Sequence, residues 1–315
     1  MVMSPQEPDA DESGCRPSVL GRFDFVCEQV QLYDGQVELR LEPDPRRYTR
    51  IEVKGEACYL DRFTKVAIPV ASVEQAIRSV PLYDLRPRIS STSEYGIERA
   101  SAVSEELHGE PFKHPVIQPA HHKEPVGESS SVSTPFLSLD ICGSTELRRR
   151  DAVAFDKATE VLLRELQILV GQFEAAVLKD TGDGFIVHLP HPSFTRQCDL
   201  IVDLGTSMIK LVKESLSPVL ESAGLPRLSV RVGADYGPAL IETKTNAITG
   251  FSWPSVRSDA LNLAVKIEQT CAPNTMRIGN ELYNLLHVQW LLRARRVPAD
   301  SLPRLLVSYP VYEVT

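Results

Sequence analysis

Two aspartates placed where apolar strands end constrain this 315-residue chain more than any other feature. In FLSLDICGST, residues 136–145, an apolar run closes on Asp140, and Gly143, Ser144 and Thr145 follow before a long helical pattern begins. In LKDTGDGFIVHL, residues 178–189, Asp183 sits in a D-G turn between two strands. If that hairpin pairs beside the first strand, the two carboxylates lie side by side. At ~4 Å two like charges repel by about 4 kcal/mol at an effective dielectric near ~20. A fold tolerates this when a divalent cation sits between them, and Mg²⁺ suits one or two carboxylates plus phosphate oxygens. The backbone after Asp140 adds a helix N-terminus, whose free N–H groups and dipole favour phosphate. Gly143 allows close backbone approach, and Ser144 or Thr145 can cap the helix or contact the phosphate. For either acid alone, an ordinary capped helix after a strand is the simpler explanation.

The surrounding pattern is α+β. A strand is expected over 135–141, then a helix over about 146–171 with Val161, Leu162, Leu166 and Leu169 on one face. The hairpin strands EAAVLKD and GFIVHLP come next, then a helix over about 194–216, strands at 228–235 and 238–243, a helix over about 258–271, and a closing strand in YPVYEV. These elements read as a mixed sheet with helices on one face. Upstream, residues 1–17 read as a disordered tail and 18–90 as a small β-rich module, in which QVELRLEP, YTRIEVKG and KVAIPVAS alternate and SVEQAIRSV gives a short helix. Residues 91–132 read as a linker rich in Ser, Glu, His and Pro. His114, His121 and His122 lie in it without a cysteine partner, so they are read as surface rather than as a metal cluster.

Composition narrows the function classes. A net charge of -8 argues against a nucleic-acid partner, because the basic stretches RRYTR and RARR are short and read as solvated surface. The cysteines, at 15, 27, 58, 142, 198 and 271, form no C-x-x-C pair and read as buried thiols of a reducing compartment. No apolar window is long enough for a membrane span and the acidic N-terminus lacks a signal-peptide core, so a cytoplasmic location is expected.

Four segments in order resemble the catalytic domain of class III nucleotidyl cyclases, the adenylate and guanylate cyclase family, over about the last 180 residues. LDICGST resembles the family's first metal strand, KDTGDGF its K-x-x-G-D hairpin, VRVGADYGPALIE its R-[IV]-G-x-x-x-G strand pair, and DALNLAVKIE its N-x-A-x-R-x-E helix. The resemblance implies a ferredoxin-like catalytic domain over 133–315 and a homodimer with head-to-tail sites shared between protomers. It implies two divalent metal ions, Mg²⁺ or Mn²⁺, held by Asp140, Asp183 and the Ile141 carbonyl. The other protomer would bring Asn262 to the ribose and, four residues on, Lys266 to the phosphates, where the family usually has Arg. The charge is kept and the bidentate fork is lost; Arg304 is a candidate to compensate.

Lys179 stands where adenylate cyclases place their adenine-contacting Lys and guanylate cyclases place Glu. Ser255 stands at the partner position, with Trp253 and Pro254 beside it. The implied substrate is therefore ATP, or UTP or CTP as in bacterial relatives whose cyclic UMP or CMP acts as an antiphage signal read by a downstream effector. The alternative is a catalytically weak cyclase-like domain that binds nucleotide or a protein partner, favoured by Lys266 and by the unassigned N-terminal module.

Overall fold

The computed structural model describes residues 22–33, 36–77, 89–116, 130–190 and 193–315. They fall into two units, within Met1–Tyr83 and Asp84–Thr315. The expected tail over 1–17 and the histidines at 121 and 122 lie outside the described residues.

The first unit is β-rich, as its alternation requires. Strands β1 (Phe25–Tyr33) and β2 (Gln36–Pro43) pair antiparallel. β3 (Tyr48–Val53), β4 (Glu56–Asp61) and β5 (Ala67–Pro69) form a second antiparallel sheet, followed by helix α1 (Val70–Ile77). Lys54 and Gly55 both take positive φ in the β3–β4 turn, as a type I′ hairpin demands. Beneath the sheet Arg47 is buried between two carboxylates, donating to Asp24 Oδ2 at 2.9 Å and to Asp61 Oδ2 at 2.8 Å. The ring of Phe23 stacks on Tyr48 at 4.1 Å between centroids.

The second unit opens with helix α2 (Thr92–Leu107), inside the stretch expected to be a linker. Its inward residues are Tyr95, Gly96, Arg99, Ala102 and Val103, at helical spacing but with too little apolar bulk to read as a core face. What seats it is an ion pair. Arg99 and Glu165, both almost fully buried, meet through Nε–Oε2 at 2.7 Å and Nη2–Oε1 at 2.9 Å. The linker expectation therefore gives way over 92–107.

Next come β6 (Ser130–Ile141), α3 (Ser144–Arg150), α4 (Ala152–Gln172), β7 (Ala176–Asp180), β8 (Gly184–His188), α5 (Phe194–Leu211), α6 (Ser217–Ser222) and β9 (Val230–Thr245). Strand order β9-β6-β8-β7, all antiparallel, with helices crossing between β6 and β7 and between β8 and β9, is the ferredoxin-like arrangement. The chain continues through β10 (Ser252–Arg257), α7 (Asp259–Glu268), β11 (Thr275–Gly279), α8 (Asn280–Asn284), α9 (Val288–Leu291), β12 (Ala294–Arg296) and β13 (Val311–Val314). β11 extends the sheet parallel to β9, β13 and β12 follow it, and β10 folds back on the far half of β9.

Three expectations are corrected here. The helix expected over 146–171 is two helices, because Asp151 is extended and caps α4, accepting from Ala154 N at 3.0 Å. The helix expected over 194–216 runs on to Ser222 through a π-helical turn at Val212–Leu216. The two strands expected at 228–235 and 238–243 are one, β9, which crosses Gly237 and Pro238 unbroken. Pro238 pairs with Ser133 on one side and lies beyond the β11 register on the other, where a missing N–H costs nothing.

Helices also cover both faces of the sheet rather than one. Leu137 of β6 and Met276 of β11 meet α5 at Gly205. On the opposite face α7 lies so close to β9 that a Cβ on Gly233 would overlap the Ala264 carbonyl oxygen and the Glu268 nitrogen. β6 is buried on both faces, so its apolar run carried no sign of which side was covered.

Two polar ties hold the C-terminal segment to the sheet. Tyr309 Oη donates to the buried Asp235 Oδ2 at 2.7 Å, and Leu282 N to its Oδ1 at 3.3 Å. Burial pushes the Asp235 carboxyl up to about 6, against these hydrogen bonds. Val297, Leu302, Leu306 and Val311 pack with Ile267 of α7, so this segment also supports that helix.

Among the described residues no helix is long and apolar enough to cross a membrane. The described cysteines are all free. Cys58, Cys198 and Cys271 are buried as expected, whereas Cys142 is half-buried and Cys27 exposed.

Candidate active site

The hairpin delivers Asp183 to Asp140 through the main chain. Asp140, next to last in β6, lies opposite Gly184, and Ile141 N donates to the Asp183 carbonyl at 3.0 Å. Gly184 is required there, since any Cβ would overlap the Leu139 carbonyl oxygen. The turn is tied by Gly182 N to Asp180 Oδ1 at 2.7 Å. Burial pushes the Asp140 carboxyl upward, the Asp183 charge adds to this, and Arg231 opposes it. The Asp183 carboxylate thus lies close enough for its charge to act on Asp140.

A third side chain holds the pair in place. Ser144 Oγ donates to Asp183 Oδ2 at 2.6 Å. Gly143, with φ of 70°, is the N-cap of α3, and no side chain caps that helix. The capping role expected of Ser144 or Thr145 therefore falls away, since the serine hydroxyl is spent on Asp183 and Thr145 is exposed.

Two further residues belong to this cluster and sequence reasoning had given them no part in it. Arg231 of β9 lies across from Asp140 in register, donating to Asp140 Oδ2 from Nη2 at 2.8 Å and from Nε at 3.1 Å. The same Nε lies 2.5 Å from Oε1 of Glu268, the last residue of α7. Glu268 Oε2 accepts from Ser138 Oγ at 3.5 Å. Burial lifts the Glu268 carboxyl up to about 7, with Asp140 adding and Arg231 opposing. The available signal was an arginine in the apolar strand VRVG and an acid closing the apolar face of α7, both within the quoted motifs. Nothing in the sequence said that they meet.

Asn262 and Lys266 stand on the exposed side of α7, one turn apart. The helix starts where Ser258 accepts from Leu261 N at 3.4 Å and donates to the Pro238 carbonyl at 2.8 Å. Lys179 is exposed on β7 beside a bulge, and Ser255 is half-buried on β10 opposite Glu242. One apolar cluster underlies this second surface. Phe136, Ala239, Ala260 and Ala264 pack with Leu178, Ile241, Val256 and Leu261, and these last include the chain neighbours of Lys179, Ser255 and Asn262. Among the described residues no hydrogen bond or ion pair joins Asn262, Lys266, Lys179 or Ser255 to Asp140 or Asp183. The sequence-predicted residues thus form two groups on one chain.

The first group fits a hard divalent cation. Two carboxylates and the main-chain oxygen of Ile141 are all-oxygen donors of the kind Mg²⁺ or Mn²⁺ takes. The Arg231 guanidinium on Asp140 Oδ2 is a stand-in positive charge at that position.

Residues 126–297, more than half of the chain, match the family described as adenylate and guanylate cyclase catalytic domain. Among solved structures the chain is similar to the adenylyl cyclase CyaB from P. aeruginosa, at 20% identity and a TM-score of 0.52, covering 60% of this chain and 96% of that one. It is also similar to the guanylyl cyclase Cya2, at 16% identity and a TM-score of 0.51, covering 59% and 93%. A bacterial light-regulated adenylyl cyclase gives 15% identity and a TM-score of 0.52, covering 60% of this chain and 54% of that one. At these identities the structures establish the fold. No curated protein matches the sequence. The chain belongs to the adenylate and guanylate cyclase catalytic domain family, and is a nucleotidyl cyclase.

Proposed function

We propose that two copies of this chain pair head-to-tail, and that each composite site converts a nucleoside triphosphate to a 3′,5′-cyclic nucleotide and pyrophosphate. The observation that carries the proposal is the separation of the candidate residues into two groups. Asp140, Asp183 and Ser144 converge at the end of β6, whereas Asn262 and Lys266 project from the exposed side of α7. One protomer would supply the first group and its partner the second.

Asp140, Asp183 and the Ile141 carbonyl would hold two divalent cations, Mg²⁺ or Mn²⁺, which supply the charge that activates the 3′-hydroxyl and neutralises the triphosphate. Asn262 orients the ribose so that its 3′ oxygen lies in line with the α-phosphorus. That oxygen bonds to phosphorus, the bond to the β-phosphate oxygen breaks, pyrophosphate leaves with the electron pair, and the hydroxyl proton passes to solvent. Lys266 meets the phosphates as a point charge without the fork of an arginine. Loss of one such transition-state donor costs about 10²–10³ in rate, so a slow enzyme is expected unless Arg304 contributes.

Lys179 and Ser255 read the base. Lys179 stands where adenylate cyclases carry Lys and guanylate cyclases carry Glu, which sets the reading against guanine, and the Ser255 hydroxyl can accept from the amino group of adenine or cytosine or donate to a uracil carbonyl. The substrate is ATP, UTP or CTP, and the product is a second messenger for a cyclic-nucleotide-responsive effector.

Mixing two inactive variants tests the shared site. Asp140→Ala and Asn262→Ala are each expected to fall below about one hundredth of the wild-type rate. An equal mixture of the two, exchanged as subunits, regains up to about a quarter, since half the dimers are mixed and each holds one intact site. A mixture no more active than its parts contradicts the shared site.

A further inference from the structure

Arg231 is shared between two acids with different duties. On one side it pairs with Asp140, which lies near the end of β6 and belongs to the proposed metal site; on the other it touches Glu268, which belongs to α7. The guanidinium is about a third exposed, whereas the Glu268 side chain is 6% exposed. A cation that binds Asp140 draws on the same carboxylate charge that holds Arg231, whose two hydrogen bonds both go to Oδ2, and sets a second positive charge beside the guanidinium. Weakening the Asp140 partner of a guanidinium that solvent screens only in part costs free energy. Glu268 removes that cost, since it already lies within ion-pair distance of Nε on the other side.

We propose that Glu268 is a positioning residue that lowers the barrier to metal binding by giving Arg231 a second seat. When Asp140 is taken by a cation, Arg231 stays paired with Glu268, and the net charge of the cluster rises without leaving an unpaired guanidinium. Glu268 touches neither metal nor nucleotide in this account. It acts only through Arg231. It also stands two residues after Lys266 on the same helix, so the seat of Arg231 is fixed to the element that serves the partner's site.

The inference rests on the metal reading of Asp140 and Asp183, and the test separates the two. Mn²⁺ binding to the full-length protein without nucleotide is measured from the electron paramagnetic resonance of free Mn²⁺, in the wild type and in four variants. Asp140→Ala tests the underlying reading. Binding as strong as in the wild type would overturn the metal site itself.

Glu268→Gln keeps the side-chain shape and removes its charge. It is expected to raise the Mn²⁺ concentration for half-occupancy about tenfold, because Arg231 then pairs with Asp140 alone. Arg231→Met is expected to tighten Mn²⁺ binding, because the competing cation is gone. The decisive comparison is Glu268→Gln in the Arg231→Met background. If Glu268 works through Arg231, its substitution there changes Mn²⁺ binding by less than about twofold. If Glu268 merely adds negative charge near the ion, or merely holds the fold, the double variant loses affinity as the single one does, and the proposal fails. If Glu268→Gln does not fold, Arg231→Met alone decides, since unchanged or weaker Mn²⁺ binding in it contradicts competition at Asp140.

Discussion

Asp183→Asn is expected to lower turnover about a thousandfold while leaving the fold intact. The substitution keeps the side-chain volume, and the main-chain bond from Ile141 N to the residue-183 carbonyl does not depend on the side chain. Ser144 Oγ can still donate to the remaining amide oxygen, so the turn keeps its tie. What is lost is one of two carboxylate charges at the end of β6. Half of the anionic donor set proposed for the cations disappears, and with it the charge that would hold them against the triphosphate. Steady-state rates at saturating Mn²⁺, beside a thermal melt of the same sample, check the prediction. A folded variant that keeps more than about a tenth of the activity would remove Asp183 from the metal site.

Arg99→Ala is expected to cost about 3–5 kcal/mol of stability, the usual penalty for stripping one partner from a buried ion pair. Glu165 is fully buried on α4 and accepts two hydrogen bonds from Arg99, and Arg99 also donates to the Lys113 carbonyl at 2.9 Å. Removing the arginine takes both close donors from this buried carboxylate and leaves it Arg164 Nη2, 3.5 Å from Oε1. For a domain of this size the melting temperature should fall by roughly 10 °C. The paired replacement Arg99→Met with Glu165→Leu removes both charges and keeps apolar volume, so it should recover most of the loss. A single variant that melts with the wild type would show that α2 is not bound into the catalytic unit as the structure has it.

That ion pair also explains why α2 was not legible in the sequence. Its partners are 66 residues apart, and its inward stripe of Tyr95, Gly96, Arg99, Ala102 and Val103 contains only two bulky apolar side chains. Local periodicity detects apolar bulk, and a helix seated by one long-range charge pair offers little of it. The strands of the sheet are the opposite case. Phe136 to Ile141 and Phe185 to Leu189 are mainly apolar because both faces of the sheet are covered, and the D-G pair marks the turn that enters the second of them. Asp140 and Asp183 stood out because each interrupts such a run, and the structure ties them through Ile141 N. Arg231 and Glu268 stayed hidden although each lay in a quoted motif. The contact of Arg231 with Asp140 depends on strand register across 91 residues, and that of Glu268 with Arg231 on a close helix approach at Gly233, neither of which the local pattern encodes. Pro238 misled in the other direction. A Gly-Pro step reads as a turn, yet β9 passes through it between the β11 and β10 registers, where no described strand pairs with its outer edge and no ladder bond is lost.

The central claim is that the acids ending β6 and turning the β7–β8 hairpin drive cyclisation of a nucleoside triphosphate. The most direct test is product analysis by mass spectrometry after incubation with Mn²⁺ and an equal mixture of ATP, GTP, CTP and UTP, beside Asp140→Ala. The account predicts one dominant 3′,5′-cyclic nucleotide, carrying adenine, uracil or cytosine, together with pyrophosphate, and neither in the variant. No cyclic nucleotide from any of the triphosphates, or one that persists in Asp140→Ala, would contradict it.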